Sequence, residues 1–315
     1  MDHRNTIKTI ETVTGNQKRA KRVNFVTPVL SVCLAGAFAD QRFEADQLEF
    51  AEESLGYAEN NGLRHLLKLT ATPPNAGMSV GRTYCQIVTL NHSAEVHSCN
   101  QTIGGLLQVQ LAQCANRKLI AATTGVVGEL HDNVVSHAMG RGFSAAQVYS
   151  GQHRRIEIAI ADIGCGLRGS LRRGGLELDD LAALEWCLKR GNTRVKLPKY
   201  ATKPVHPLDC PQRLPEDCLI SPYPPNVTTT SSDSHHMGEG LYRLTELIRK
   251  TGGNVWIWSG NAQILSKGET IQATHVDVNW SGTVIEIEIP IAAFEKSEIA
   301  NSPSDYEELA QRLGL

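Results

Sequence analysis

The sequence predicts a mixed α/β fold, and three observations carry that expectation. Helical and strand-like runs are interleaved from about residue 101 onward, but without the strict β–α–β alternation of a parallel doubly wound sheet. Two helical runs, 103–118 and 121–139, stand back to back. Strand-like runs at 254–259, 272–279 and 283–290 then follow one another directly. With 315 residues, 41% hydrophobic and 20% charged, the chain has the make-up of an ordinary globular protein, long enough for one large domain or two modest ones.

The elements read in order as follows. Residues 1–22 are polar and basic and read as a mobile tail. Residues 23–100 read as a small N-terminal α/β unit. In it, an apolar helix at 29–39 has Thr27 as its N-cap, Pro28 at the first helical position and Asp40 beyond the run. A second helix, 45–59, is closed by Asn60-Asn61-Gly62, and β-like runs at 65–69 and 83–90 flank a Pro/Gly loop at 73–77. His92 and His97 fall in a polar stretch read as a loop. After the two long helices come strands at 146–150 and 155–163. A loop-rich region, 164–237, carries eight prolines between 198 and 225, and its helical part is 178–190. Loops of such length inside a domain are usually functional insertions. A helix at 240–251 is stopped by Gly252-Gly253, and residues 293–315 read as a C-terminal helix.

Composition also narrows the function. A net charge of -2 offers no bulk attraction for a polyanion, and 5% aromatics do not make a base-stacking platform, so no nucleic-acid partner is expected. The eight cysteines form no Cys-x-x-Cys pair, and Cys210 and Cys218 lack a second pair of zinc spacing. They read as free thiols of a reducing cytosol. The basic run 18–22, the apolar run 29–39 and Ala37-Phe38-Ala39 imitate a secretory signal, but the caps favour a helix of a cytoplasmic protein. No apolar run reaches the roughly 18 residues of a membrane span.

Three motifs carry chemistry. The first, Gly128 to Ala138, puts Glu129, Asn133 and His137 on one helix face at a spacing of four, with Asp132 beside it. A carboxylate and an amide together are costly to bury. They suit Mg²⁺, which takes few protein ligands beside phosphate oxygens and water, and a carboxylate one turn away can act as a general base. A solvated helix face explains the same residues. The second motif, Ile158 to Leu167, ends an apolar strand on Asp162 and turns through Gly164 and Gly166. A buried Asp needs a donor, and the exocyclic amine of adenine is one; an ordinary capped turn is the alternative. In the third, His235 to Ile248, Gly238 and Gly240 bring backbone N–H groups to a helix N-terminus, an anion site by its dipole. Glycines that merely close a long loop would look alike.

In their order and context the three motifs resemble the GHKL superfamily of ATP-binding domains, which have the Bergerat fold. Residues 128–138 look like its N box, Asp162 to Gly166 its G1 box, Gly238 to Leu241 its G2 box and Gly282-Thr283 its closing Gly-Thr. The match spans residues 101–292 and most resembles the anti-sigma-factor serine kinases and related bacterial regulatory ATP-binding proteins. The resemblance implies an α+β two-layer sandwich, with ATP and Mg²⁺ as cofactors. Asn133 would hold the metal, Glu129 would be the base, and Asp162, Gly164, Gly166 and Thr283 would hold adenine. Gly238, Gly240 and Leu241 would lie at the phosphates under a lid of residues 167–237. Arg168, Arg172, Arg173, Lys189, Arg190, Arg194 and Lys196 would be the lid's candidate phosphate partners. The implied function is a cytosolic protein serine/threonine kinase of the anti-sigma type, with a regulatory protein partner (anti-sigma or anti-anti-sigma-like) and a homodimer as the associated assembly. A slow ATPase, or an ATP-controlled binding switch without catalysis, fits the same motifs.

Overall fold

Residues 155–162 alternate isoleucine with alanine and acidic side chains, and this alternation sets the layers of the fold. In the structure, a computed structural model describing residues 3–15, 20–74, 79–138, 140–189 and 239–296, they form the middle strand of a five-stranded antiparallel sheet. Its strands are β3 (Val88–Leu90), β4 (Gly142–Tyr149), β5 (Arg155–Asp162), β6 (Asn254–Lys267) and β7 (Thr270–Pro290), in the order β3-β4-β5-β7-β6. Ile156, Ile158 and Ile160 of β5 join Ile285, Ile287 and Ile289 of β7 in one core, covered by α5 (Ser93–Gln110), α6 (Arg117–Asn133), α8 (Asp180–Leu188) and α9 (Glu239–Thr251). Helices supply the matching stripes, for example Val126 and Val127 of α6 and Leu244 and Ile248 of α9.

Ala145, Ala159 and Ala161 face the other way and belong to a second core built around α2 (Pro28–Ala39). This helix is apolar on all sides and buried on nearly all of them, as such a helix must be. Small residues on the sheet let it lie close, and Gly36 completes the approach. A Cβ there would stand 3.2 Å from both Ile163 and the Trp280 ring. Thr27 and Pro28 act as read from sequence: the Thr27 side chain accepts the Leu30 N–H at 3.2 Å and Pro28 opens the helix. Trp256, Trp258 and Trp280, all fully buried, lie in series on this face with ring centroids 5.8 and 5.4 Å apart, the first pair stacked and the second tilted. None of the described helices is long and apolar enough to cross a membrane.

Several expectations are corrected. The expected mobile tail, 1–22, instead holds α1 (His3–Thr14), whose Ile10 and Val13 are buried in the α2 core, and β1 (Lys21–Val23), which pairs in parallel with β2 (Leu48–Phe50). Four apolar or β-branched positions on one face, Thr6, Thr9, Ile10 and Val13, outweigh the polar composition of that stretch. The implied two-layer sandwich acquires a third layer, because α2 covers the second face of the sheet. The run 65–69 is not strand-like: α4 (Leu63–Leu66) begins just after Gly62, which at φ 87° follows α3 (Glu52–Asn60). His92 and His97 leave the expected loop, since α5 starts ten residues before the helix read from residue 103. The two strands expected at 272–279 and 283–290 are one continuous β7, whose extra residues are absorbed by register shifts at Gly260 of β6. The expected lid begins with α7 (Gly166–Arg173) and α8, which put Leu171, Ala183 and Leu184 into the core. Of the C-terminal helix, α10 (Ala292–Glu295) is described and 297–315 lie outside the described residues.

Ile10 is fully buried, so Ile10→Ala is expected to lower the unfolding free energy by about 2–5 kcal/mol, a cavity-forming change. Urea unfolding followed by far-UV circular dichroism measures this; an unchanged midpoint would return the segment to a mobile tail.

Candidate functional site

α6 carries the first motif, and its rotation is fixed from behind. Asn116 caps it by accepting the Leu119 N–H at 2.9 Å. His131, fully buried, bonds Asn100 on α5 through Nδ1 at 2.6 Å and Ser144 on β4 through Nε2 at 2.9 Å. Burial holds its imidazole neutral, with the pKa lowered to about 4. Residues two away on a helix point to nearly opposite sides, so anchoring His131 in the core turns Glu129 and Asn133 outward toward α9.

There the first and third motifs meet. Glu129 makes an ion pair with Arg243 of α9, both partly or largely buried. Gly240, in the first turn of α9, is buried against Glu129 and Asn133: a Cβ would stand 3.1 Å from Asn133 Nδ2 and 3.6 Å from Glu129 Oε2. The amide, the carboxylate and the N-terminus of a thirteen-residue helix are therefore in contact. Leu241 turns the other way, into the core. Gly238, His235 and His236 lie outside the described residues.

Beyond Asn133 the helix widens into a π turn, Val134–Ala138. Its end meets the second motif backbone to backbone. The Ala138 carbonyl accepts the Cys165 N–H at 2.9 Å, and the Ile163 N–H donates to Arg141 at 3.0 Å. A Cβ at Gly164 would lie 2.0 Å from the Ala138 oxygen, so only glycine fits. The resemblance implies that this glycine helps to hold adenine; in the structure it lets two chain segments close on each other.

Asp162 closes β5 opposite Gly142 and is only 5% exposed. Its Oδ1 accepts the Gly164 N–H at 2.9 Å and its Oδ2 the Thr283 N–H at 3.2 Å. Burial raises its pKa from 3.8 to about 7, against the pull of those two donors. A carboxylate has room for about four donors, so each oxygen retains acceptor capacity. Trp280 Nε1 donates to the Asp162 carbonyl at 2.8 Å, and Gly282 lacks a Cβ where one would strike that carbonyl. Thr283 thus sits in mid-strand rather than opening one, and reaches Asp162 through its backbone.

Gly166, at φ 65°, starts α7 against Ser259 and the Gly282 carbonyl. Ser259 was not singled out by sequence, yet it links three elements: it accepts the Leu167 N–H at 3.0 Å and donates to Gly282 at 2.9 Å. Asp180 does likewise for α8, accepting the Asn261 N–H at 3.0 Å, with Arg168 at 3.8 Å. Arg172 pairs with Glu177 at 2.9 Å and Arg173 donates to Cys165 Sγ at 3.0 Å, which engages these candidate phosphate partners locally. Lys189 ends α8, whereas Arg190, Arg194, Lys196, Cys210 and Cys218 lie outside the described residues. Arg243 was legible in principle, being three residues from Gly240 on the same helix face. No group of three or more His, Cys, Asp or Glu gathers as a metal cage among the described residues.

No protein-family model, no curated protein and no solved structure matches the chain.

Asp162 keeps its proton to about pH 7 when folded but loses it near its ordinary 3.8 when unfolded. Between these values the folded state binds more protons, so Asp162 makes stability fall as pH rises from about 4 to 7, then level off. In urea titrations at several pH values, wild type measured relative to Asp162→Asn is expected to show that decline. Parallel curves would show that Asp162 is not shifted.

Proposed function

We propose that this protein binds ATP with Mg²⁺ and acts as a cytoplasmic protein serine/threonine kinase on a regulatory protein partner. The observation that carries the reading is the convergence of three motifs, separated by up to about a hundred residues, along one end of the sheet. Glu129 and Asn133 meet Gly240, while Asp162 meets Gly164 and Thr283. Asp162 fits an adenine amine because it is a buried acceptor with spare lone pairs. The helix N-terminus at Gly240, beside the Asn133 amide, fits phosphates. Bound Mg²⁺ would neutralise phosphate charge, and Asn133 would hold it. The chain's own contribution is to position the nucleotide, exclude water from the base and orient the hydroxyl acceptor by Glu129.

A second reading, an ATP-controlled binding switch without turnover, is favoured by the Glu129–Arg243 ion pair. A carboxylate engaged by arginine is stabilised as an anion and has to exchange that partner for a hydroxyl before it takes a proton. In this reading ATP orders residues around α9, and the ordered surface captures the partner.

Calorimetric titration with ATP and Mg²⁺ tests the shared premise. Binding is expected to weaken at least tenfold in Asp162→Asn and to weaken in wild type as pH falls below about 7, because protonation removes the acceptor. Equal affinity of the variant would remove Asp162 from the site. With γ-labelled ATP and cell extract, label on a protein that disappears in Glu129→Gln supports the kinase. Intact ATP binding without label or released phosphate supports the switch.

A further inference from the structure

A cleft of about 970 Å³ opens on the α2 side of the molecule, between the end of α2, the end of α4, the start of α5 and the loop after the π turn. Its volume lies at the upper end of the small-molecule range. Three of the chain's six phenylalanines, Phe38, Phe43 and Phe143, line it, with Phe38 and Phe43 edge to face at 5.9 Å. Lys68, Arg141 and His92 also line it, against one carboxylate, Glu44. Neither Lys68 nor Arg141 forms an ion pair with a described residue.

A second, independent feature points to the same place. Gln41 and Lys68 are the two non-glycine residues with positive φ among those described, at 57° and 58°, and both line this cleft. Each stands just past a helix end in a Schellman cap. After α2, Gln41 N–H bonds Phe38 and Arg42 N–H bonds Ala37, at 3.0 and 2.9 Å. After α4, Lys68 N–H bonds His65 and Leu69 N–H bonds Arg64, also at 3.0 and 2.9 Å. Glycine is the usual residue at that position because a Cβ is disfavoured there. Long polar side chains occupy both caps at the expense of local stability, and they flank one cleft in which phenylalanines and two cations meet. Strained backbone of this kind collects at functional sites.

We propose that this cleft binds a small organic anion with a flat aromatic body, its ring against the phenylalanines and its acidic group at Lys68 and Arg141. The cleft borders the backbone junction through Gly140, which packs on Gly164, but the proposal does not depend on the nucleotide site proposed above. A carboxylate, sulfonate or phosphate group would each satisfy the two cations; a neutral aromatic would leave their charge unmatched.

The probe is 1-anilinonaphthalene-8-sulfonate, with its uncharged parent N-phenyl-1-naphthylamine as control. Fluorescence titration of the full chain is expected to show one saturable site for the sulfonate, at least tenfold tighter than the parent. Lys68→Gly and Arg141→Ala should each weaken the sulfonate at least fivefold. Lys68→Gly, relieved of its left-handed side chain, should melt at or above the wild-type temperature, which separates lost binding from lost folding. Equal affinity for the two dyes, or sulfonate binding unchanged in both variants, would overturn the proposal.

Discussion

The approach of the Ala138 carbonyl to the Gly164–Cys165 backbone is the contact on which the site's geometry depends. It joins the end of the α6 π turn to the turn after β5 without an intervening side chain. Asn133 lies on one side of this contact and Asp162 on the other. Their separation is therefore set by backbone, the least deformable part of the chain. Gly164 and Gly140 keep this junction closed, for a Cβ on either would fall below 3 Å from the other segment. The π turn itself is the geometric consequence: the chain takes an extra residue per turn to bring Ala138 to that position.

Around this junction the core layers serve as a frame. The β5 alternation sends isoleucines to the helical layer and alanines to α2, so that both faces of the strand carrying Asp162 are sealed. Sealing raises the pKa of the carboxylate, and the N–H groups of Gly164 and Thr283 only partly offset it. The carboxylate is held by two backbone donors and kept from water, a state suited to accepting one further specific donor. On the helical side His131, Asn100 and Ser144 form a buried polar network that orients α6, and its position in the core makes Glu129 and Asn133 face α9.

Much of the architecture was legible from periodicity and caps. The α2 boundaries followed from Thr27, Pro28 and Asp40, β5 from its apolar run, and α9 from its amphipathic pattern and Gly252-Gly253. The failures share a cause. The tail at 3–14, the run at 65–69 and the break between the two C-terminal strands were read from local polarity and turn residues. Burial of Ile10 against α2, the left-handed start at Gly62 and strand pairing across Gly260 overrode those local signals. In the site, Ser259 and Asp180 are isolated polar residues that show no pattern until their partners are known, whereas Arg243 stands at helical spacing from Gly240.

Taken alone, the sequence determined the type and spacing of the candidate residues: a carboxylate and an amide one helical turn apart, an aspartate ending an apolar strand, and glycines opening a helix. These are properties of type and spacing, and spacing along one element is fixed by its period. Only the tertiary structure decided that Glu129 is paired with Arg243, that Gly164 serves backbone packing, that Asp162 is sealed on both faces, and that Gln41 and Lys68 share a cleft with Arg141. Each of these is a contact between residues far apart in the chain, and no local period encodes such a contact.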